Sequence, residues 1–218
     1  MKNIFFIGAG GFGSECYQYL SDVMATDKSI VFKGFLSTSN DLAPYGLESF
    51  FLGHYDDYDF QEDDYIVIAI GMPLARYRLY HLFKQRGVKF YNLISPKAFV
   101  TNTHNIGEGN IIAPFNSIAA NVKIGIGNIV NGFCAIGHDC VIGNFNVINS
   151  HCGFGGFTSM GNGNYAGMGT MFFPKSKIGD NCKISGASVV FKRIKNNSIA
   201  FGNPAEVIGQ NEFFNFNP

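Results

Sequence analysis

The sequence has no surplus of either charge, no long apolar run and no grouped metal ligands, and each absence removes a class of function. Sixteen Lys and Arg balance sixteen Asp and Glu across 218 residues, with no block of one sign. Nothing therefore points to nucleic acid or to an anionic membrane surface as partner. No segment approaches the roughly 18 consecutive apolar residues of a membrane helix. The start of the chain, one Lys and a short apolar run into glycines, reads as a strand and not as a secretory signal. Of the five cysteines, four (Cys134, Cys140, Cys152, Cys182) share one phase of a repeat described below, where a small buried side chain suffices. A disulfide framework is not expected, and a reducing cytoplasm is. No His, Cys and carboxylate group has metal-ligand spacing, so no metal is expected.

What the chain has in quantity is glycine, 27 residues that are neither collagen-periodic nor gathered in a linker. They belong to an internal repeat, which decides the fold. From Val100, steps of six reach Ile106, Ile112, Ile118, Ile124, Val130, Ile136, Ile142, Ile148, Phe154, Met160, Ala166, Phe172, Ile178, Ile184 and Val190 without a slip. The next position is usually Gly or Ala, and the fifth is small or an amide, as at Asn128, Cys140, Asn146, Thr158 and Asn164. A period of six fits neither a helix nor a flat strand. It fits short strands meeting at corners: one aliphatic points inward, the next residue allows a tight corner, and the fifth stacks. Three hexads make one triangular turn, so residues eighteen apart lie one above another at about 4.8 Å.

Ahead of the coil, Ile4 to Ile7 reads as a strand, followed by Gly8-Ala9-Gly10-Gly11-Phe12-Gly13 and a helix with Cys16, Leu20 and Val23 on one face. Apolar runs at Ile30 to Leu36, Tyr65 to Ile70 and Val88 to Ile94 flank a second helix from Pro73 to a stop at Gly87. The expected architecture is an α/β, Rossmann-like βαβ unit over residues 1–95, then a parallel β-helix with a tail over residues 96–218. The register ends after Val190, and Glu212-Phe213-Phe214-Asn215-Phe216 closes the chain, to cover the last coil or to pack on a neighbouring chain.

The hexad register, the segment Gly202-Asn203-Pro204-Ala205 beyond it and the glycine-rich βαβ unit together resemble the hexapeptide-repeat acyltransferases. The branch is that of the sugar-nucleotide 4-amino-sugar N-acetyltransferases and the sialic acid O-acetyltransferases, and the resemblance covers nearly the whole chain. It implies a left-handed coil, a homotrimer, acetyl-CoA as co-substrate and a role in surface-glycan precursor synthesis such as that of lipopolysaccharide. Acetyl transfer needs a base for the acceptor's proton and a donor for the oxyanion. His138, in Ile136-Gly137-His138-Asp139-Cys140, stands at an outward hexad position. The residues alone allow a base or a solvated turn residue; the resemblance implies His138 as general base and Asp139 as the carboxylate that orients it. Gly156, eighteen residues on, is then an oxyanion donor or a corner glycine. The resemblance also sets the CoA arm near Met168, Gly186 and Ala187, under Gly202 and Pro204. Lys192, Arg193 and Lys195 either meet the CoA phosphates or form a solvated patch. His151 lacks an acidic neighbour and reads as structural or a substrate contact. No Ser or Cys beside His138 forms a nucleophile arrangement, so direct attack is expected.

The fingerprint Gly8, Gly10, Gly13 follows a strand and opens a helix. The acidic residue that would hold NAD at the end of the second strand is missing, and Ser37 and Thr38 stand there instead, so NAD is not expected. By resemblance Gly10, Gly11, Phe12, Gly13, Ser37, Thr38 and Gly71 line a pocket for a small-molecule sugar or sugar-nucleotide acceptor. Phe12 stands where the family often has His, Ser37 and Thr38 where it has acidic residues, and Met72 where it tends to have Asn. These departures weigh against a UDP-linked acceptor. The leading expectation is N-acetylation of a nucleotide-linked deoxyamino sugar; the alternative is O-acetylation of sialic acid or another glycan hydroxyl.

Overall fold

A computed structural model describes residues 1–212, Phe214 and Phe216, without the side chain of Thr103; Phe213 and Asn215 of the tail lie outside the described residues. The N-terminal unit holds five parallel strands, β1 (Lys2–Ile7), β2 (Ile30–Leu36), β3 (Phe51–Gly53), β4 (Asp64–Ile68) and β5 (Lys89–Phe90), in the order β3-β2-β1-β4-β5. Helix α1 (Gly11–Thr26) follows β1 and helix α2 (Pro73–Gln85) follows β4. Both expected helices form, because each presents an apolar stripe to the sheet or the coil: Cys16, Leu20 and Val23 from α1, Tyr80 and Phe83 from α2. The short strand β3 is an addition that the sequence pattern does not announce.

Beyond the sheet the chain winds into a left-handed parallel β-helix of two-residue strands on three faces. The first face stacks Leu93–Ile94, Ile111–Ile112, Ile129–Val130, Val147–Ile148, Tyr165–Ala166 and Lys183–Ile184. The second stacks Phe99–Val100, Ser117–Ile118, Ala135–Ile136, Gly153–Phe154, Met171–Phe172 and Val189–Val190. The third runs from Lys123–Ile124 to Lys177–Ile178. The aliphatics at the six-residue positions form one continuous core inside the coil. Burying each contributes about 2 kcal/mol of transfer free energy. The run Val88 to Ile94 is split: Lys89–Phe90 closes the N-terminal sheet, while Leu93–Ile94 pairs with Ile111–Ile112 on the first face. Ile94 is thus the same inward position one hexad ahead of Val100.

Inside the coil, buried amides repeat the backbone pairing. The Asn110 side-chain oxygen accepts from Asn128 N–H at 2.8 Å, that of Asn128 from Asn146 at 2.8 Å, that of Asn146 from Asn164 at 2.8 Å, and that of Asn164 from Cys182 at 2.7 Å. Each rung satisfies a backbone donor that the corner would otherwise leave buried and unpaired. All five cysteines are free and buried.

The corner chemistry differs from the expectation in one respect. The tight, left-handed position is not the glycine after the inward aliphatic but the residue two further on: Asn121, Asp139, Phe157 and Lys175 have φ of 58, 59, 61 and 66°. Glycine follows the aliphatic for closeness instead. A Cβ on Gly137 would stand 2.7 Å from the Phe154 carbonyl oxygen and 2.9 Å from the Gly156 nitrogen of the next turn.

The N-terminal unit sits on the first face, with the outward residues Leu93, Ile111, Ile129 and Val147 in one cluster with Cys16, Leu20 and Val23 of α1. Arg76 of α2, 1% exposed, pins the two parts. Its guanidinium donates to the Gly127 carbonyl at 2.9 Å, the Gly109 carbonyl at 3.2 Å and the Ile68 carbonyl. Burial lowers its pKa to about 10, still far above neutrality, so it stays charged. The tail returns to the same seam: Phe214 and Phe216 lie edge-on to Tyr77 of α2 at 5.3 and 5.6 Å, and Phe216 is buried over Gly163. These described tail residues pack on their own chain.

Candidate active site

The segment around His138 is fixed by the hexad itself. Ile136 and Ile142 point inward, Cys140 turns its thiol onto the Gly155 carbonyl at 3.2 Å, and the left-handed Asp139 donates its N–H to the Ala120 carbonyl at 3.1 Å. His138 must then point outward, and its own carbonyl accepts from Phe157 N–H at 3.0 Å. Its side chain is 61% exposed and that of Asp139 34%. His138 Nδ1 lies 2.8 Å from Asp139 Oδ2. That hydrogen bond holds the Asp139 carboxyl below its ordinary pKa, helped by Asn121, whose Nδ2 donates to Asp139 Oδ1 at 3.3 Å. An ionised carboxylate only accepts, so Nδ1 carries the proton and the Nε2 lone pair is left free. The Phe157 ring stands edge-on to the imidazole at 5.2 Å.

Gly156 lies where eighteen-residue stacking sets it. A Cβ there would be 2.8 Å from His138 Nε2, so a side chain at this position would crowd the imidazole. Among the described residues the Gly156 N–H donates no hydrogen bond, and the residue is half-buried. A ring nitrogen thus lies beside a residue whose N–H is unused among the described residues, a pairing suited to taking a proton while stabilising an oxyanion.

The residues that the resemblance assigns to the acyl donor form a second cluster. Ala187 donates its N–H to the Met168 carbonyl at 2.8 Å, Gly186 packs on the same carbonyl, and Gly202 bonds through its N–H to the Ser188 hydroxyl at 3.2 Å and through its carbonyl to the Val189 N–H. Pro204 follows in the same turn. This cluster lies on the corner between the first and second faces, whereas His138 and Gly156 lie on the corner between the second and third. Within one chain the width of the second face separates them. Lys192, Arg193 and Lys195 are exposed on the upper coil. His151 stacks on Phe133 at 5.1 Å and 6°.

The residues that the resemblance assigns to the acceptor gather at the carboxyl ends of the parallel strands, where the order reverses between β1 and β4. Gly8 donates its N–H to the Leu36 carbonyl, Gly10 caps α1, and a Cβ on Gly13 would meet the Gly8 carbonyl oxygen at 2.6 Å. Gly11 is exposed near Tyr45 and Phe12 is half-buried. Ser37 donates its N–H to the Gly53 carbonyl, Thr38 is exposed, and Gly71 is open. From Gly71 the surface descends into a cavity of about 520 Å³. Residues 71–74, Arg78, Gly163, Tyr165, residues 181–183, Asn211, Glu212, Phe214 and Phe216 line it. Among the described residues no group of His, Cys and carboxylates could hold a metal ion, and no helix is long and apolar enough to cross a membrane.

Sequence reasoning passed over Asn121, although eighteen-residue stacking beneath Asp139 was available as a signal. It also passed over Arg76, Arg78 and Lys183, for which the pattern held none.

No family model matches the chain, and no curated protein matches it. Solved structures do. WeeI from Acinetobacter baumannii AYE superposes with a TM-score of 0.82 at 24% identity, over 95% of this chain and 100% of that one. The acetyltransferase domain of PglB from Neisseria gonorrhoeae FA1090 gives 0.76 at 22% over 95% and 100%. A histidine-to-asparagine variant of perosamine N-acetyltransferase from Caulobacter crescentus, in complex with CoA and GDP-perosamine, gives 0.71 at 21% over 96% and 98%. The fold, a Rossmann-like unit followed by a left-handed β-helix, is theirs along nearly the full length.

Proposed function

We propose that the protein is an acetyl-CoA-dependent acetyltransferase that acts on the amino group of a nucleotide-linked deoxyamino sugar, with His138 as general base. The observation that carries this reading is the His138–Asp139 pair with Nε2 free beside the unused N–H of Gly156. The acceptor nitrogen attacks the thioester carbonyl, forming the C–N bond; its proton passes to Nε2, and the oxyanion is held by the Gly156 N–H. Collapse breaks the C–S bond, and the CoA thiolate leaves with the proton that His138 took up. Asp139 keeps the ring in the reactive tautomer and steadies the imidazolium.

Residues 96–218 carry the transfer and residues 1–95 the acceptor, through Gly10, Gly11, Phe12, Gly13, Ser37, Thr38 and Gly71. Met168, Gly186, Ala187, Gly202 and Pro204 receive the donor's arm, where small residues and open coil edges suit an extended amide chain. The donor corner and the base corner come together when the second face of one copy meets another copy, which supports a homotrimer. Phe99 at 69% exposure, with Phe115 and Phe133 along one edge of the second face and Phe157 along the other, makes that face an apolar surface in need of cover. The likeness in fold to a protein crystallised with CoA and GDP-perosamine supports a nucleotide-linked sugar as acceptor. The setting is cytoplasmic synthesis of surface-glycan precursors.

The test is thiol release from acetyl-CoA with GDP-, UDP- and dTDP-linked amino sugars and with free sialic acid, run beside His138→Ala. Transfer to an amino-sugar nucleotide, reduced at least ~10²-fold in the variant with acetyl-CoA binding kept, is the expected result. Absence of acetyl-CoA binding sinks the reading.

A further inference from the structure

The cavity beside Gly71 carries chemistry that the glycine loop does not. Arg78 of α2 and Lys183 of the first face both line it, and among the described residues neither makes an ion pair or a side-chain hydrogen bond. They come from different parts of the chain, α2 and the sixth strand of the first face. The α2 N-terminus opens into the same space, with Met72 giving no side-chain cap. Two unpaired, solvent-exposed cations and free helix N–H groups around an open cleft of about 520 Å³ favour an anion much larger than a single ion. Tyr165 and Phe214 add flat apolar surface, and the Glu212 carboxylate can accept from hydroxyl or ring N–H groups. Cationic, aromatic and acidic groups together match the diphosphate, base and ribose of a nucleoside diphosphate.

We infer that this cavity is a nucleoside diphosphate site, in which Arg78 and Lys183 hold the phosphates and the tail residues Glu212 and Phe214 form one wall. It rests on the reading of the acceptor as a nucleotide-linked sugar, and adds α2 and the coil, beyond Gly71, as the walls that hold its diphosphate beside the glycine loop of α1. CoA also carries a diphosphate, so the test has an arm for each source. GDP, UDP, dTDP and CoA are titrated by calorimetry into the full chain and into Arg78→Ala and Lys183→Ala. At least one nucleoside diphosphate binds, each substitution weakens it about tenfold or more, and CoA affinity stays unchanged. Added salt lowers nucleoside diphosphate affinity less in the variants than in the unsubstituted protein. The inference falls if no nucleoside diphosphate binds, if both variants bind as before, or if CoA is the ligand that weakens. Binding is read without turnover: a chain that holds nucleoside diphosphates through these cations yet never transfers acetyl keeps this inference and loses the proposed function.

Discussion

The coil and the N-terminal unit are both parallel β structures, yet they position chemical groups by different means. In the coil a position is set by counting. Asn121, Asp139 and Phe157 follow one another at eighteen-residue steps on one corner, because backbone and buried amide hydrogen bonds lock each turn onto the last. In the N-terminal unit the candidate residues come from loops far apart in sequence, residues 8–13, 37–38 and 69–71, and meet only because β2, β1 and β4 are neighbours. The first arrangement is rigid and local, with spacing built into the repeat. The second depends on how the sheet is ordered and on its seam with the coil.

That comparison can be broken at the seam. Arg76→Met leaves the carbonyls of Gly109 and Gly127 buried without their donor, and we expect a loss of about 3 kcal/mol in denaturant unfolding. The coil core should remain protected in hydrogen exchange while α2 opens; equal loss of protection in both parts would mean that they are one cooperative unit. Next in size, Gly13→Ala forces a methyl against the Gly8 carbonyl and should cost about 2 kcal/mol, with acceptor binding weakened and acetyl-CoA binding kept. In the coil, Asp139→Asn should leave stability nearly unchanged and lower kcat about tenfold through the wrong His138 tautomer, read by steady-state kinetics. Because the folded-state pKa of Asp139 is depressed, its contribution is complete above the ordinary carboxylate range and is lost only as pH falls through the lowered value. The difference between the unsubstituted protein and Asp139→Asn should therefore persist through mildly acidic pH and close below the ordinary carboxylate range. Smallest, Asn121→Ala removes one hydrogen bond to Asp139 and should lower kcat roughly twofold to threefold, with KM unchanged. A changed KM would assign Asn121 to binding instead.

The same contrast governs what the sequence reveals. The six-residue register, the outward placement of His138 and its stacking under Gly156 follow from arithmetic on one period, and the structure shows each of them. Position Ile94 was hidden only because an apolar run crossed from β5 into the first face. The glycine after each inward aliphatic was legible as a constraint, but its cause, closeness to the next turn, needed coordinates. Arg76 could not be read at all: an arginine among polar helix residues looks solvated until three segments supply carbonyls around it. The cavity has the same character, since Arg78, Lys183 and Glu212 share no spacing and are joined by tertiary packing alone.

The asparagine rungs at 110, 128, 146 and 164 also make the length of the coil a quantised property. Removing or duplicating eighteen residues would return every aliphatic to the interior and every rung to its neighbour, whereas a change of one residue would turn the core outward for the rest of the coil. The final turn departs from this rule, since Ile184 pairs with Ala200 at a step of sixteen residues. There the chain stops counting, and the segment around Gly202 and the strap to α2 begin.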